Sequence, residues 1–335
     1  MTRHPTPLAR TNPRRRALMK WAALSATLPA AGTAGAAGFP DKSVKVVVPY
    51  GPGGGTDNLM RMLAPALTES LGQTLVIENK PGGASVIGTD LVAKSPPDGY
   101  TLLASDLALL VNPGLFPKLP FDTVKDLAGV TMMATAPVLL VVHPSVPAKN
   151  LQELLAMARA KPGSMNYASG GNGASTHLAG ELMKIAAKVD IVHIPYKGTA
   201  PAMNDLLAGQ VQMQFAGIST AKQHVESGRL RAIAMTGPKR NQGMPDVPTF
   251  IEQGLEGVDA DTWWGLYAPS ATPADVIARL NKDVTQALRS PALADRLTAA
   301  GYVPIANSPA EHTAMMRSMI QRWTDVIKQA GIKMG

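Results

Sequence analysis

A glycine-rich loop at residues 50–57, with the sequence YGPGGGTD, has the composition of a binding site for a small anion. It follows a short β-branched run at residues 44–49 and precedes residues 59–72, where apolar residues recur at helical spacing. Glycines allow a backbone to approach a ligand closely, and a helix N-terminus supplies free N–H groups and the positive end of the helix dipole. The sequence therefore predicts an anion site built from backbone donors.

A second glycine-rich loop, SGGNGAST at residues 169–176, occupies the equivalent strand-to-helix junction in the other half of the chain. Open α/β sheets bind ligands at such junctions, so the two copies favour a shared site in which two lobes hold one carboxylate. The alternative interpretation is that the glycines only form tight turns and that four side chains cap the helices: Thr56, Asp57, Ser175 and Thr176. For Asp57 capping is the preferred interpretation, because a carboxylate repels a bound anion.

Neither loop matches the motifs of the common nucleotide-binding and catalytic classes. Both lack the lysine of a P-loop, and the first loop lacks the third glycine of a dinucleotide fingerprint. Neither a Gly-x-Ser-x-Gly nucleophile elbow nor a His-Glu-x-x-His zinc motif occurs in the sequence. His177 and Glu181 lie four residues apart, a match to a metal site that is common by chance, and His177 is better interpreted as support for the loop. A serine hydrolase would have to pair Ser169 or Ser175 with His177.

The remaining patterns predict the elements that position the two loops. Strand and helix patterns alternate over residues 44–104, as in an α/β sheet with crossover helices. Residues 127–142 predict two buried strands that meet at Pro137, and a second α/β unit follows over residues 151–234. The proline- and glycine-rich residues 236–261 predict the connection back to the first unit. The last helix carries an apolar stripe that predicts core packing, formed by Met316, Met319, Ile320, Trp323 and Ile327.

Composition excludes several classes of protein. The chain has 335 residues, of which 45% are hydrophobic and 17% charged, enough to bury a large core in two domains. Residues 1–37 hold six of the 32 basic side chains and no acidic one, which leaves 26 basic against 24 acidic residues and a net charge of +2 for the rest. The overall charge of +8 therefore gives no support for nucleic-acid binding. The absence of cysteine excludes disulfides, thiolate metal sites and a cysteine nucleophile.

The N-terminal 37 residues have the layout of a cleavable export signal. Arg14, Arg15 and Arg16 precede an uncharged, Ala- and Leu-rich stretch that ends in small residues, with cleavage expected after Ala36 or Ala37. The apolar stretch is shorter than the roughly 20 residues of a membrane span, which favours export over anchoring. The pattern leaves the Sec and Tat routes open and predicts the periplasm of a Gram-negative bacterium.

Short motifs follow one another in a distinctive order after residue 38. They are FPDK (39–42), VVVPYGPGGGTD (46–57), ENKPGG (78–83), PDGY (97–100), NYAS (166–169), HLAGE (177–181), PYKG (195–198), PDVPT (245–249), WGL (264–266) and AP (268–269). This series resembles the Bug-type substrate-binding receptors of tripartite tricarboxylate transporters. Each motif alone is weak, so the resemblance rests on their order and spacing, and it covers essentially the whole chain after the leader.

The resemblance implies an α/β, two-lobed periplasmic binding protein of the type II, Venus-flytrap class, with a hinge and a ligand cleft between the lobes. Lobe 1 is expected at residues 38–139 and 262–335, and lobe 2 at residues 140–261. The implied protein is a monomeric, non-enzymatic solute receptor that uses no cofactor or metal. It binds a small di- or tricarboxylate or aromatic acid and delivers it to membrane permease subunits. The ligand-binding residues that the resemblance implies are Tyr50, Gly54, Gly55, Thr56, Ser85, Asp106, Ser169, Gly170, Gly173 and Ser175.

The sequence departs from the common family pattern at Ala216, where many relatives carry an Asp that can contact a ligand amino or distal polar group. Asp106 is a candidate to compensate for that contact or to change the ligand. The departure at Ala216 therefore favours a plain or aromatic carboxylate over an amino acid as the ligand. Two other functions remain as alternatives: a secreted hydrolase of a carboxylate ester, and a ligand sensor for a two-component system.

Overall fold

The computed structural model describes residues 1, 2, 4 and 38–332, and the described residues from Gly38 onward form one compact unit. The export-signal prediction falls almost wholly outside the described residues. The strands are β1 Val44–Val48, β2 Leu75–Asn79, β3 Thr101–Ser105, β4 Leu127–Ala136, β5 Val138–Val142, β6 Asn166–Ser169, β7 Val192–Pro195, β8 Met213–Gly217, β9 Arg231–Met235, β10 Thr262–Pro269 and β11 Val303–Pro304. The helices are α1 Gly55–Leu71, α2 Val86–Ala93, α3 Ala108–Leu115, α4 Leu151–Ala160, α5 Ser175–Ala187, α6 Thr199–Leu207, α7 Ile218–Glu226, α8 Ala274–Arg289, α9 Pro291–Ala299 and α10 Pro309–Ala330.

The first sheet has the strand order β11-β4-β10-β3-β1-β2. Its parallel part pairs β1 with β2 and β3, as expected for strands joined by crossover helices. Strand β1 is buried at four of its five residues because helices cover it, so it is a continuous β-branched run rather than an alternating one. Strand β10 enters antiparallel between β3 and β4. The carboxyl end of β1 thus delivers the first glycine-rich loop to one edge of this lobe.

The second sheet has the order β7-β6-β8-β5-β9, with β6 parallel to β7 and β8. Pro137 alone separates β4 of the first sheet from β5 of the second, which confirms the two strands predicted to meet at that residue. Proline has no N–H to continue a ladder, so the strand breaks there and the chain changes lobes. The two sheets and their helices form the two lobes of a periplasmic binding protein fold.

The lobes are held by large apolar cores. The predicted stripe on α10 is part of one of them, because Met316, Met319, Trp323 and Ile327 are buried and α10 packs on α3 and β4. Helix α3 was not predicted, and it is short and contains Pro113, which weakens any helical pattern in the sequence. Within the residues that the structure describes, no helix is long and apolar enough to cross a membrane.

Candidate ligand-binding site

Four helices begin at a cleft between the lobes. Their N-cap residues are Gly54 for α1, Ala174 for α5, Gly198 for α6 and Gly217 for α7, and all four line the cleft. None of these helices has a side chain that accepts a hydrogen bond at the N-cap position. The first-turn N–H groups of a helix have no partner within the helix, and the dipole adds partial positive charge there. The cleft, about 460 Å³ including its mouth, is therefore suited to an anion.

The lobe 1 wall of the cleft is set by Trp264, which comes from β10. Its indole Nε1–H donates to Thr56 Oγ1 over 3.1 Å. A Cβ atom at Gly55 would lie 2.9 Å from the indole ring, so glycine is needed where α1 begins. Because Thr56 accepts the indole proton, its own hydroxyl hydrogen is free to point into the cleft.

Asp57 holds the first loop from behind. Its buried carboxylate accepts hydrogen bonds from the Gly53 N–H, from Arg61 Nε and from Asn79 Nδ2, at 2.8–3.0 Å. Burial raises the pKa of Asp57, but the hydrogen bonds from Arg61, Gly53 and Asn79 outweigh burial and leave the pKa below its ordinary value. Asp57 thus fixes the loop as an ionised side chain, and the backbone of the loop, rather than Asp57, lines the cleft.

Tyr50 and Asp106 form the far end of the lobe 1 wall. The Tyr50 hydroxyl donates to Asp106 Oδ1 over 2.5 Å, and the N–H of Ala108 donates to the same oxygen over 2.9 Å. Burial raises the pKa of Tyr50 well above its ordinary value, so the phenol keeps its proton and remains the donor. Burial also raises the pKa of Asp106, although the hydrogen bonds from Tyr50, from the Ala108 N–H and from its own backbone N–H oppose that shift.

The loop in the lobe 2 wall is held in the same way as the first loop, but by different side chains. The N–H of Gly170 donates to Thr176 Oγ1 over 2.9 Å, and the N–H of Gly173 donates to His177 Nδ1 over 3.2 Å. The prediction that His177 supports the loop agrees with this geometry. Ser175 Oγ lies 2.5 Å from Thr262 Oγ1 at the start of β10, so the two lobes touch across the cleft.

The structure brings most of the predicted ligand-binding residues together. Seven of the ten line the cleft: Tyr50, Gly54, Gly55, Thr56, Asp106, Gly170 and Ser175. Ser85 lines an adjoining cavity that shares Tyr50 with the cleft. Ser169 and Gly173 line neither cavity. The fully buried Ser169 directs its Oγ to His193 Nε2, 2.6 Å away.

A stack of three rings lies behind the second loop. The His193 ring is 4.2 Å from the His177 ring and 4.9 Å from the Tyr167 ring, between centroids. Burial lowers the pKa of His177 to about 4 and that of His193 to about 3. Ser169 bonds to His193 and Ser175 to Thr262, while His177 accepts the N–H of Gly173, so neither serine forms the pair with His177 that the hydrolase alternative required.

Seven lining residues were not among the predicted ligand-binding residues: Ala174, Thr176, Gly198, Thr199, Gly217, Thr262 and Trp264. Ala174 and Thr176 do lie within the second predicted loop. Gly198 and Gly217 had a usable signal, because each stands between a strand and a helix as Gly54 does. No sequence signal pointed to Trp264, because it lies 208 residues from Thr56, the residue that it contacts.

Comparison with known proteins shows the family of the chain. Residues 59–332 match the tripartite tricarboxylate transporter family receptor. Protein BugT of Bordetella pertussis is 36% identical over 298 residues, which cover 88% of this chain and 91% of that protein. Two Rhodopseudomonas palustris structures are each 33% identical. Rpa4515 with adipate has a TM-score of 0.85 over 88% of this chain and 99% of that one. MatC with bound malate has a TM-score of 0.82 over 86% of this chain and 100% of that one. The chain therefore belongs to the receptor family of tripartite tricarboxylate transporters, whose members are non-enzymatic solute-binding proteins.

Proposed function

We propose that this protein binds a small carboxylate in the cleft between its lobes and delivers it to the membrane permease of a tripartite tricarboxylate transporter. The observation that carries the proposal is the convergence of four uncapped helix N-termini on a cleft whose described lining contains no Lys or Arg side chain. Backbone N–H groups and helix dipoles stabilise a carboxylate without a counter-ion. The adipate and malate found with the two similar receptors are carboxylates of this class.

In this proposal the backbone at Gly54, Gly55 and Gly170 holds the carboxylate, while the hydroxyls of Thr56 and Ser175 orient it. Tyr50 and Asp106 contact the remainder of the ligand. The other three predicted residues support the residues that contact the ligand without contacting it themselves; they are Ser85, Ser169 and Gly173.

Lobe closure follows from contacts that a ligand makes with both lobes, residues 38–139 with 262–335 and residues 140–261. Direct contacts already join the lobes: Tyr302 Oη lies 2.8 Å both from the Gly55 carbonyl oxygen and from Ser219 Oγ. A ligand that touches both walls favours this closed arrangement over an open one by its differential affinity.

The cellular setting belongs to the same proposal. The family's similar structures include a periplasmic binding protein, and the basic, acid-free residues 1–37 suit a cleaved export signal of the Sec or Tat route. The receptor is proposed to act in the periplasm as a monomer, with the permease subunits as its partner.

A thermal-shift screen of the purified protein tests the ligand class. Di- and tricarboxylates, acidic amino acids and aromatic acids are offered with matched uncharged amides. A ligand at about a hundred times its dissociation constant stabilises the folded state by about 2.7 kcal/mol. We expect stabilisation by at least one carboxylate and none by its amide. A screen in which amides stabilise and carboxylates do not would contradict the proposal.

The variant Gly54→Val tests the site. Gly54 has φ −78°, and its Cβ would lie 3.4 Å from Thr199 Oγ1, so the backbone tolerates valine while its methyl groups enter the cleft. We expect carboxylate binding to be lost with little change in the unliganded melting temperature. Gly38→Val is the matched control, because nothing lies within 4 Å of a Cβ at Gly38. Retained affinity in Gly54→Val would remove the loop from the site.

A further inference from the structure

Asp106 is the charged side chain in the described lining of a cleft that otherwise suits an anion. Its Oδ1 atom already accepts hydrogen bonds from the Tyr50 hydroxyl and the Ala108 N–H. Its Oδ2 atom receives no hydrogen bond from another residue in the described part of the chain. Tyr50 and Ala108 therefore fix one carboxylate oxygen of Asp106, and the remaining hydrogen bond to the carboxylate comes from Asp106's own backbone N–H. Since a carboxylate oxygen can accept more than one hydrogen bond, Oδ2 can accept one from a ligand in the cleft.

The protein supplies no cation for this carboxylate. The described cleft lining contains neither Lys nor Arg. Arg61, on the helix that starts at the cleft, is engaged with Asp57 and Asn79. Lys197 lines the adjoining cavity rather than the cleft. A carboxylate that loses water without gaining a partner costs free energy, and this cost rises when lobes close over it. A ligand that offsets the cost must bring a hydrogen-bond donor, and a cationic donor offsets most of it.

The cleft thus presents two opposite chemistries. The uncapped starts of α1, α5, α6 and α7 favour negative charge, whereas Asp106 favours positive charge. We propose that the ligand is a carboxylate that also carries a protonated amine, and that Asp106 Oδ2 accepts a hydrogen bond from that amine. This inference rests on the proposed function, because it assumes that the helix N-termini hold the carboxylate. It narrows the ligand from small carboxylates in general to zwitterionic ones.

The structure also assigns the role of Tyr50. Because its hydroxyl donates to Oδ1, it holds the Asp106 carboxylate in one rotamer and keeps Oδ2 available. Tyr50 accordingly positions Asp106 in addition to lining the cleft, and Asp106 is the residue that selects the ligand.

Calorimetric titration with paired acids tests the inference. The probes are butanoate with 4-aminobutanoate, hexanoate with 6-aminohexanoate, succinate with aspartate, and glutarate with glutamate. The amine members place the nitrogen at different distances from a carboxylate. A hydrogen bond to a charged group predicts that at least one amine member binds the wild-type protein about 10- to 100-fold more tightly than its partner.

The variant Asp106→Asn tests the residue. Asn keeps an oxygen to accept from Tyr50 and Ala108, but it removes the negative charge. We expect the amine preference to fall to about one, because the negative charge that attracts the amine is gone. Asp295→Asn is the control, since Asp295 is an exposed residue of lobe 1 and lines no described cavity of the cleft. Its amine preference should equal that of the wild type.

The outcomes separate the two proposals. If plain acids bind the wild-type protein at least as tightly as their amines, this inference fails and the proposed function stands. If the amine preference survives in Asp106→Asn, another group selects the amine and the assignment to Asp106 fails. If no acid of either kind binds, the carboxylate proposal itself fails and this inference with it. The wild-type comparison decides the ligand class even if Asp106→Asn does not fold.

Discussion

The two glycine-rich loops are held by hydrogen bonds of the same geometry, but the side chains that accept these bonds differ. In each, a side chain at the third position of the following helix accepts the N–H of a glycine four residues earlier: Asp57 from Gly53, and His177 from Gly173. The support in lobe 1 is an ionised carboxylate held by Arg61. In lobe 2 it is a buried imidazole whose pKa is lowered by burial.

This difference teaches how a protein can fix an anion-binding loop without blocking it. An ordinary cap satisfies the helix N-terminus with a side chain, as Ser308 and Glu311 do in the capping box of α10. Helices α1 and α5 are supported from the third position of the helix instead, which orders the loop while leaving the N-cap to the ligand. Helices α2, α8 and α9 also lack a side-chain cap, so a missing cap alone is not diagnostic, and the convergence on one cleft is what matters.

The largest expected effect comes from removing the charged support. Asp57→Ala breaks three hydrogen bonds and leaves the Gly53 N–H without its acceptor, while Asn79 Nδ2 retains the Tyr50 carbonyl oxygen. We expect unfolding free energy to fall by about 2–4 kcal/mol, and ligand affinity to fall as well because the loop is no longer fixed. Chemical denaturation and titration measure the two effects. Asp57→Asn, which retains an acceptor oxygen, should recover much of the loss. A stable Asp57→Ala protein with native affinity would show that the first loop orders itself.

Acid should weaken the second loop before the first. His177 has a pKa of about 4 in the folded protein against 6.5 for an unperturbed histidine, because burial disfavours the imidazolium. The unfolded chain therefore binds the proton first, so stability falls as pH falls from about 6.5 to about 4, by on the order of 3 kcal/mol for this group. The pKa of Asp57 is lowered instead, so its contribution persists until pH falls below the 3.8 of an unperturbed aspartate.

His193 and the buried His312 contribute in the same acidic range, since burial lowers their pKa values to about 3 and about 4. The variant His177→Gln isolates the loop, because glutamine can accept the Gly173 N–H and does not titrate. Denaturation at a series of pH values between 7 and 4 should show a smaller loss for His177→Gln than for the wild type. Identical pH profiles would mean that the acid sensitivity arises from groups other than His177.

The sequence was sufficient to predict those features of the fold and site that depend on residues close together in the chain. The strand-loop-helix order, the two loops and the α10 stripe could all be predicted, because strand, turn and helix patterns are local. The contacts that complete the site join distant residues. Ser169 was predicted to face the ligand, but the parallel pairing of β6 with β7 places its hydroxyl against His193, 24 residues away. No spacing rule relates two such residues until the pairing of the strands is known.

The smallest effects should come from the threonines at the second position of α1 and α5. Thr56 accepts the Trp264 indole N–H, and Thr176 accepts the Gly170 N–H. Thr56→Val and Thr176→Val each leave one of these buried donors unpaired, so we expect each to lower unfolding free energy by about 1–2 kcal/mol. Each also removes a hydroxyl hydrogen that is free to donate to a ligand, so affinity should fall by less than about tenfold in both. Serine at either position keeps the hydroxyl and is the control. If both loops bind the carboxylate equally, the two variants should lose the same amount of ligand affinity. A loss of affinity confined to one variant would show that one lobe binds the ligand and the other only closes over it.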